Sequence, residues 1–106
     1  MNEPVAAPLP ETYVAARSPS TFVVELDGEA VVLDEAANRL HLLNHTATLV
    51  WNCLDGEIDV RGLADEIADV LDLPDEQVLT ETLGVVNELA AEGLLRGFEA
   101  KGDPAP

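Results

Sequence analysis

Basic residues are what this chain has least of. Five Lys and Arg stand against twenty-one Asp and Glu, a formal charge of −16. Phosphate backbones are gripped by Lys and Arg, so direct nucleic-acid binding is excluded as a function class, and attraction to an anionic membrane surface is disfavoured. Cysteine is nearly absent. Cys53 is single, so no internal disulfide forms and nothing requires an oxidising compartment. No basic stretch followed by an apolar run opens the sequence, and no run approaches the roughly 18 apolar residues of a membrane helix. A cytoplasmic protein without a membrane segment is expected. Aromatics are also few: Tyr13, Phe22, Trp51 and Phe98 are the whole set.

What is present is a foldable chain. Apolar residues make up 47% of 106, enough for one domain with one core. Residues 1–20 hold Pro4, Pro8, Pro10 and Pro19 and lack apolar periodicity, so they read as a flexible Pro-rich lead-in, although Tyr13-Val14 could dock locally. The stretch 99–106, with Gly102, Pro104 and Pro106, reads as a flexible tail. Between them lies a domain over 21–98 with three basic and seventeen acidic residues, so the acidity belongs to the folded part.

Within that domain the hydrophobic period changes once. From Phe22 it is two, and Asp27-Gly28 supplies the positive-φ pair of a type I′ turn. That turn sets Leu26 opposite Glu29, Val24 opposite Val31 and Phe22 opposite Leu33. Phe22, Val24, Leu26, Val31 and Leu33 then share one face, expected to be the core side. A second turn at 34–38 leads to a third strand, Arg39 to Leu43. Asn44 is a good N-cap, and from there the period is 3.6. Helices are expected over 45–54, over 60–72 behind the cap Asp59, and over 75–92 before Gly93 at the left-handed end position. The expectation is α+β: a winged helix-turn-helix-like domain, a three-stranded antiparallel meander followed by three helices.

The last helix carries more apolar surface than a small core needs. Val78, Thr82, Val85 and Leu89 form one stripe, and Leu79, Leu83, Val86 and Ala90 an adjacent one. Both pack in the plain reading. In the sharper reading, part of the second stripe lines an open groove. Chemistry finds little footing elsewhere. His41, His45 and Cys53 have no metal-site spacing, and His45 and Cys53 lie two helical turns apart, about 12 Å along the axis, too far for a nucleophile pair. The neighbouring pairs Asp65-Glu66 and Asp75-Glu76 diverge on their helices and read as solvated charge. No Gly-rich phosphate loop is present. No catalytic residue, cofactor or metal is expected, and Trp51 reads as packing in preference to a partner-facing anchor.

One segment is distinctive. Leu43-Asn44-His45-Thr46-Ala47-Thr48-Leu49-Val50-Trp51, then Leu54-Asp55-Gly56, Leu63-Ala64 with Ile67, and Leu89-Ala90-Ala91-Glu92-Gly93-Leu94-Leu95 together resemble the signature of the PqqD-like family. The third strand departs from it, having Leu40 and His41 where members often carry an aromatic. The resemblance implies a non-catalytic recognition element of ribosomally synthesised, post-translationally modified peptide biosynthesis. Such a protein binds the leader of a precursor peptide and presents it to a modifying enzyme: a radical S-adenosylmethionine enzyme, a peptidase or a cyclase. The leader is expected to add as a β-strand along Arg39, Leu40, His41, Leu42 and Leu43, against a helix wall of Leu79, Leu83, Val86 and Asn87. An edge strand beside a surplus apolar stripe is the physical equipment for such strand addition. The rival reading is a winged-helix protein–protein interaction module without a leader ligand. Homodimerisation is left open, as is the side of the third strand that meets the open edge.

Overall fold

The computed structural model describes residues 8–98. Three strands, β1 (Thr21–Leu26), β2 (Glu29–Asp34) and β3 (Arg39–Leu43), form one antiparallel sheet in the order β1-β2-β3. Three helices follow: α1 (His45–Cys53), α2 (Val60–Leu71) and α3 (Asp75–Ala91). This is the expected meander followed by three helices, with helix limits within one residue of the expected ones.

Local chemistry accounts for the element boundaries. Asp27 and Gly28 adopt φ of 52° and 81°, the two positive values a type I′ turn requires, and the register pairs Leu26 with Glu29, Val24 with Val31 and Phe22 with Leu33. The Asn44 and Asp59 side chains accept from the Ala47 and Gly62 N–H groups at 2.8 and 2.9 Å, capping α1 and α2. At the end of α3, Gly93 sits at φ 79°. Its N–H donates to the Ala90 carbonyl and that of Leu94 to the Leu89 carbonyl, both at 3.0 Å. This closure turns Leu94 and Leu95 back into the core, where both are fully buried.

The face that meets the helices is the opposite of the expected one. Ala30 and Val32 of β2 and Leu43 of β3 are buried with Val50, Trp51, Leu63, Val86, Leu94 and Leu95. Phe22, Val24, Leu26, Leu40 and Leu42 instead face outward, Phe22 56% and Leu42 82% exposed. The pairing was read correctly and its face inverted. β1 and β2 carry apolar residues in both parities, the outward set being the larger, so alternation alone does not find the buried face. The choice falls to the side where α1, following directly from β3, lies against β2 and β3. β1 lies against β2 alone among the named elements, so even its inward residue Val23 is partly open. Trp51, 1% exposed, is packing as expected.

The lead-in is also corrected over the part that is described. Tyr13 and Ala15 carbonyls accept from the Val60 and Gly56 N–H groups, Ser18 N–H donates to the Leu94 carbonyl, and Arg96 N–H donates to the Ala16 carbonyl, all at 2.8–3.2 Å. Ala15 and Ser18 are buried, Arg61 pairs with Glu11 at 2.6 Å, and the Tyr13 and Phe98 rings meet edge-on at 5.9 Å. The arm is stitched between the start of α2 and the return after α3, mostly by backbone bonds that no side-chain pattern announces. The expected tail 99–106 and residues 1–7 lie outside the described residues. A chain lacking residues 1–20 should therefore lose more than about 2 kcal/mol of stability, from several net hydrogen bonds and the uncovering of Leu94 and Leu95. Urea unfolding measures this, and an unchanged midpoint would contradict the arm's structural role.

Candidate functional site

The bonding direction of β3 follows from the first turn. In a two-residue hairpin the flanking residues, here Leu26 and Glu29, bond to each other, and bonding directions alternate along each strand. Glu29, Val31 and Leu33 therefore bond toward β1. Glu35 continues the series, its N–H reaching the Ser20 carbonyl at 3.0 Å. Ala30, Val32 and Asp34 bond toward β3, where their partners are Leu43, His41 and Arg39. That leaves the N–H and C=O groups of Leu40 and Leu42 pointing away from β2, to the sheet edge. No strand covers this edge among the described residues.

Beside this edge lies a groove of about 730 Å³ between β3 and the C-terminal half of α3. Leu43, Ala47, Val85 and Leu89 supply apolar lining, and Glu88 on α3 and Glu92 at its C-cap add carboxylates one turn apart. His41 projects to the inner side of β3. Its Nδ1 lies 3.5 Å from Glu92 Oε1, and Arg39 Nη2 lies 3.9 Å from the same oxygen. His41 Nε2 is buried and meets no hydrogen-bond partner among the described residues. A buried polar atom left this way carries a desolvation cost of about 1–3 kcal/mol that an incoming donor or acceptor would relieve.

The structure brings the expected strand residues Arg39, Leu40, His41, Leu42 and Leu43 together on one edge, with inner and outer side chains alternating. It places the expected helix wall elsewhere. Leu79 and Val86 are buried in the core. Asn87 Oδ1 accepts from the Leu9 N–H at 2.8 Å while its Nδ2 donates to the Leu83 carbonyl at 2.8 Å, so this side of α3 is engaged by the N-terminal arm. The groove wall is instead the end of the other stripe, Val85 and Leu89, with Glu88 and Glu92. The signal for it lay in the Gly93 closure, which turns the chain back so that Leu94 borders the same groove as Val85 and Leu89.

The remaining reactive groups stay apart. Among the described residues no three His, Cys, Asp or Glu side chains converge on a metal-sized site. Burial, and then the charges of Glu66 and Asp55, push the Cys53 thiol up, which keeps it in the unreactive protonated form at neutral pH. No described helix is long and apolar enough to cross a membrane.

The bonding parity makes a direct prediction, since proline removes an N–H. His41→Pro should lose a ladder bond to Val32, worth about 0.5–1.5 kcal/mol net plus strain. That should lower the melting temperature by roughly 4–8 °C per kcal/mol lost. Leu42→Pro removes an N–H that faces the open edge and should melt within about 2 °C of the parent. Thermal denaturation followed by circular dichroism separates them, and the reverse order would overturn the assigned parity.

Comparisons with known proteins agree with this architecture. No curated protein matches the chain in sequence. The solved structure of TbiB1 in complex with the TbiA(beta) leader peptide is similar in fold. It has a TM-score of 0.69 at 19% identity, and the match covers 83% of this chain and 99% of that one. The family model described as Coenzyme PQQ synthesis protein D matches residues 29–95, from the second strand through Leu94-Leu95. That span holds β2, β3, all three helices and the groove between β3 and α3, and it makes the chain a member of the PqqD family.

Proposed function

We propose that the chain is a recognition element that binds the leader of a precursor peptide as a fourth strand along β3 and presents it to a modifying enzyme without itself performing chemistry. The observation that carries this reading is the outward pair of backbone groups at Leu40 and Leu42 directly beside the apolar groove. A strand added there takes backbone bonds from Leu40 and Leu42, which supply affinity. Alternate side chains of the added strand enter the groove over Val85 and Leu89, which supplies register. His41 Nε2, without a partner inside the groove, gives the added strand one polar contact to satisfy. The similarity in fold to a protein solved with a leader peptide supports the same reading.

The rim of the groove points to the character of the peptide. Glu88 and Glu92 border an apolar floor, and the domain around them is strongly acidic. A leader that sets an apolar side chain between β3 and α3, with Lys or Arg beside it, matches this surface. The enzyme that receives the peptide is taken to be a radical S-adenosylmethionine enzyme, a peptidase or a cyclase, as the family resemblance implies.

The test is titration of a synthetic leader peptide with apolar residues flanked by Lys or Arg into the parent and the Leu42→Pro variant, followed by calorimetry. The variant should bind at least about tenfold more weakly, the equivalent of about 1.4 kcal/mol, while its melting stays near that of the parent. Affinity for a leader bearing Lys or Arg should also fall as salt rises. Equal affinity of the folded variant and the parent would mean that the leader does not add at this edge.

A further inference from the structure

The outer face of the sheet is the largest feature the groove leaves unexplained. Phe22, Val24 and Leu26 on β1 stand opposite Leu33, Val31 and Glu29 on β2, with Leu40 and Leu42 across on β3. Seven of these eight side chains are apolar. Phe22, Val24, Leu26, Leu40 and Leu42 are all more than half exposed. Together they leave roughly 600 Å² open, at the top of the range for the largest apolar patch on an ordinary monomer. The carboxylates avoid this face. Glu29, at the turn end, is the one charge among the eight, and the helices, which hold seven of the twenty-one acidic residues, lie on the other side of the sheet. Solubility alone does not explain this distribution, because a chain with twenty-one acidic residues had charge available to place here.

We propose that this face is a homodimer interface, in which two copies stack sheet on sheet about a two-fold axis. Three features favour a second copy as the occupant. The patch is nearly uncharged, so two copies can meet through the same face, as an isologous contact requires. Two such faces remove roughly 1,200 Å² from water, which reaches the lower limit of stable protein interfaces. β1 gains most, since it lies against no helix in the single chain, and a facing sheet about 10 Å away would cover it. Leu26, Glu29, Val31, Leu40 and Leu42 of this face also border the groove, so a dimer and a bound leader share contacts on the β3 side. Phe22 and Val24 on β1 belong to the sheet face alone. The dimer's existence does not depend on the leader reading.

Salt gives this interface a distinctive signature. Two copies each bearing −16 repel at long range, while the contact itself is apolar. Screening the repulsion should tighten the dimer as salt rises, opposite to the salt response expected for a basic leader. Sedimentation of the full chain at about 100 μM should show a dimer whose dissociation constant falls several-fold between roughly 0.05 and 0.5 M salt. The double variant Phe22→Thr/Val24→Thr keeps strand propensity and lies on the strand farthest from the leader edge. It should raise the dissociation constant by roughly 100-fold or more, with unchanged circular dichroism and leader affinity. Leu26→Thr, at the turn end of the same face, should weaken the dimer independently. A parent chain that is monomeric at both salt concentrations overturns the proposal. So does a dimer that these substitutions leave as tight as before, or one that loosens as salt rises.

Discussion

The two-residue turn at Asp27-Gly28 is the constraint on which the rest of the sheet depends. Both residues must hold positive φ, which Gly28 does freely and Asp27 at modest cost. Once they do, Leu26 and Glu29 are locked as a bonded pair, and alternation propagates that choice through β2 to β3. Every later property follows from this parity: which residues of β2 bond toward β3, which groups of β3 are left at the edge, and which side chains point to each face. A turn with one more residue would exchange the inward and outward sets of β2 and carry Val32 to the solvent side.

The two faces of the sheet then do different work. The inner face is built of small and branched residues, Ala30 and Val32 beside Leu43, and α1 and the Trp51 ring fill the space above them. The groove opens where this packing stops, at the end of β3 under the last turns of α3. The outer face holds the larger side chains, Phe22, Leu26, Leu40 and Leu42, which need a partner from outside the chain to leave water. The strong acidity is compatible with both surfaces, since it keeps the free protein dispersed and places negative charge along the groove rim.

What the sequence revealed is what local chemistry determines. The type I′ turn, the strand register, the caps Asn44 and Asp59, the helix limits and the Gly93 closure each depend on a few neighbouring residues, and each was legible. The buried face was not, because β1 and β2 carry apolar residues in both parities, and the outward set of Phe22, Val24, Leu26, Val31 and Leu33 is the larger of the two. The groove wall was missed for a related reason: α3 has two apolar stripes of equal quality. The stripe that faces β3 across the groove is chosen by the crossing of α3 and by the N-terminal arm, which engages Asn87, both long-range effects. The arm itself was read as loose because it is held by backbone bonds to Gly56, Val60, Leu94 and Arg96, which leave no periodic trace. The edge strand could be named from sequence, but its parity needed the observed pairing.

Backbone amide hydrogen exchange, resolved residue by residue by NMR, tests the central claim most directly. In the free protein the amides of His41 and Leu43 should be protected by their bonds to β2, while those of Leu40 and Leu42 should exchange rapidly at the open edge. On saturation with the precursor's leader segment, Leu40 and Leu42 should slow markedly, with little change at His41 and Leu43. A leader that binds while Leu40 and Leu42 continue to exchange at their free rate would contradict strand addition at β3.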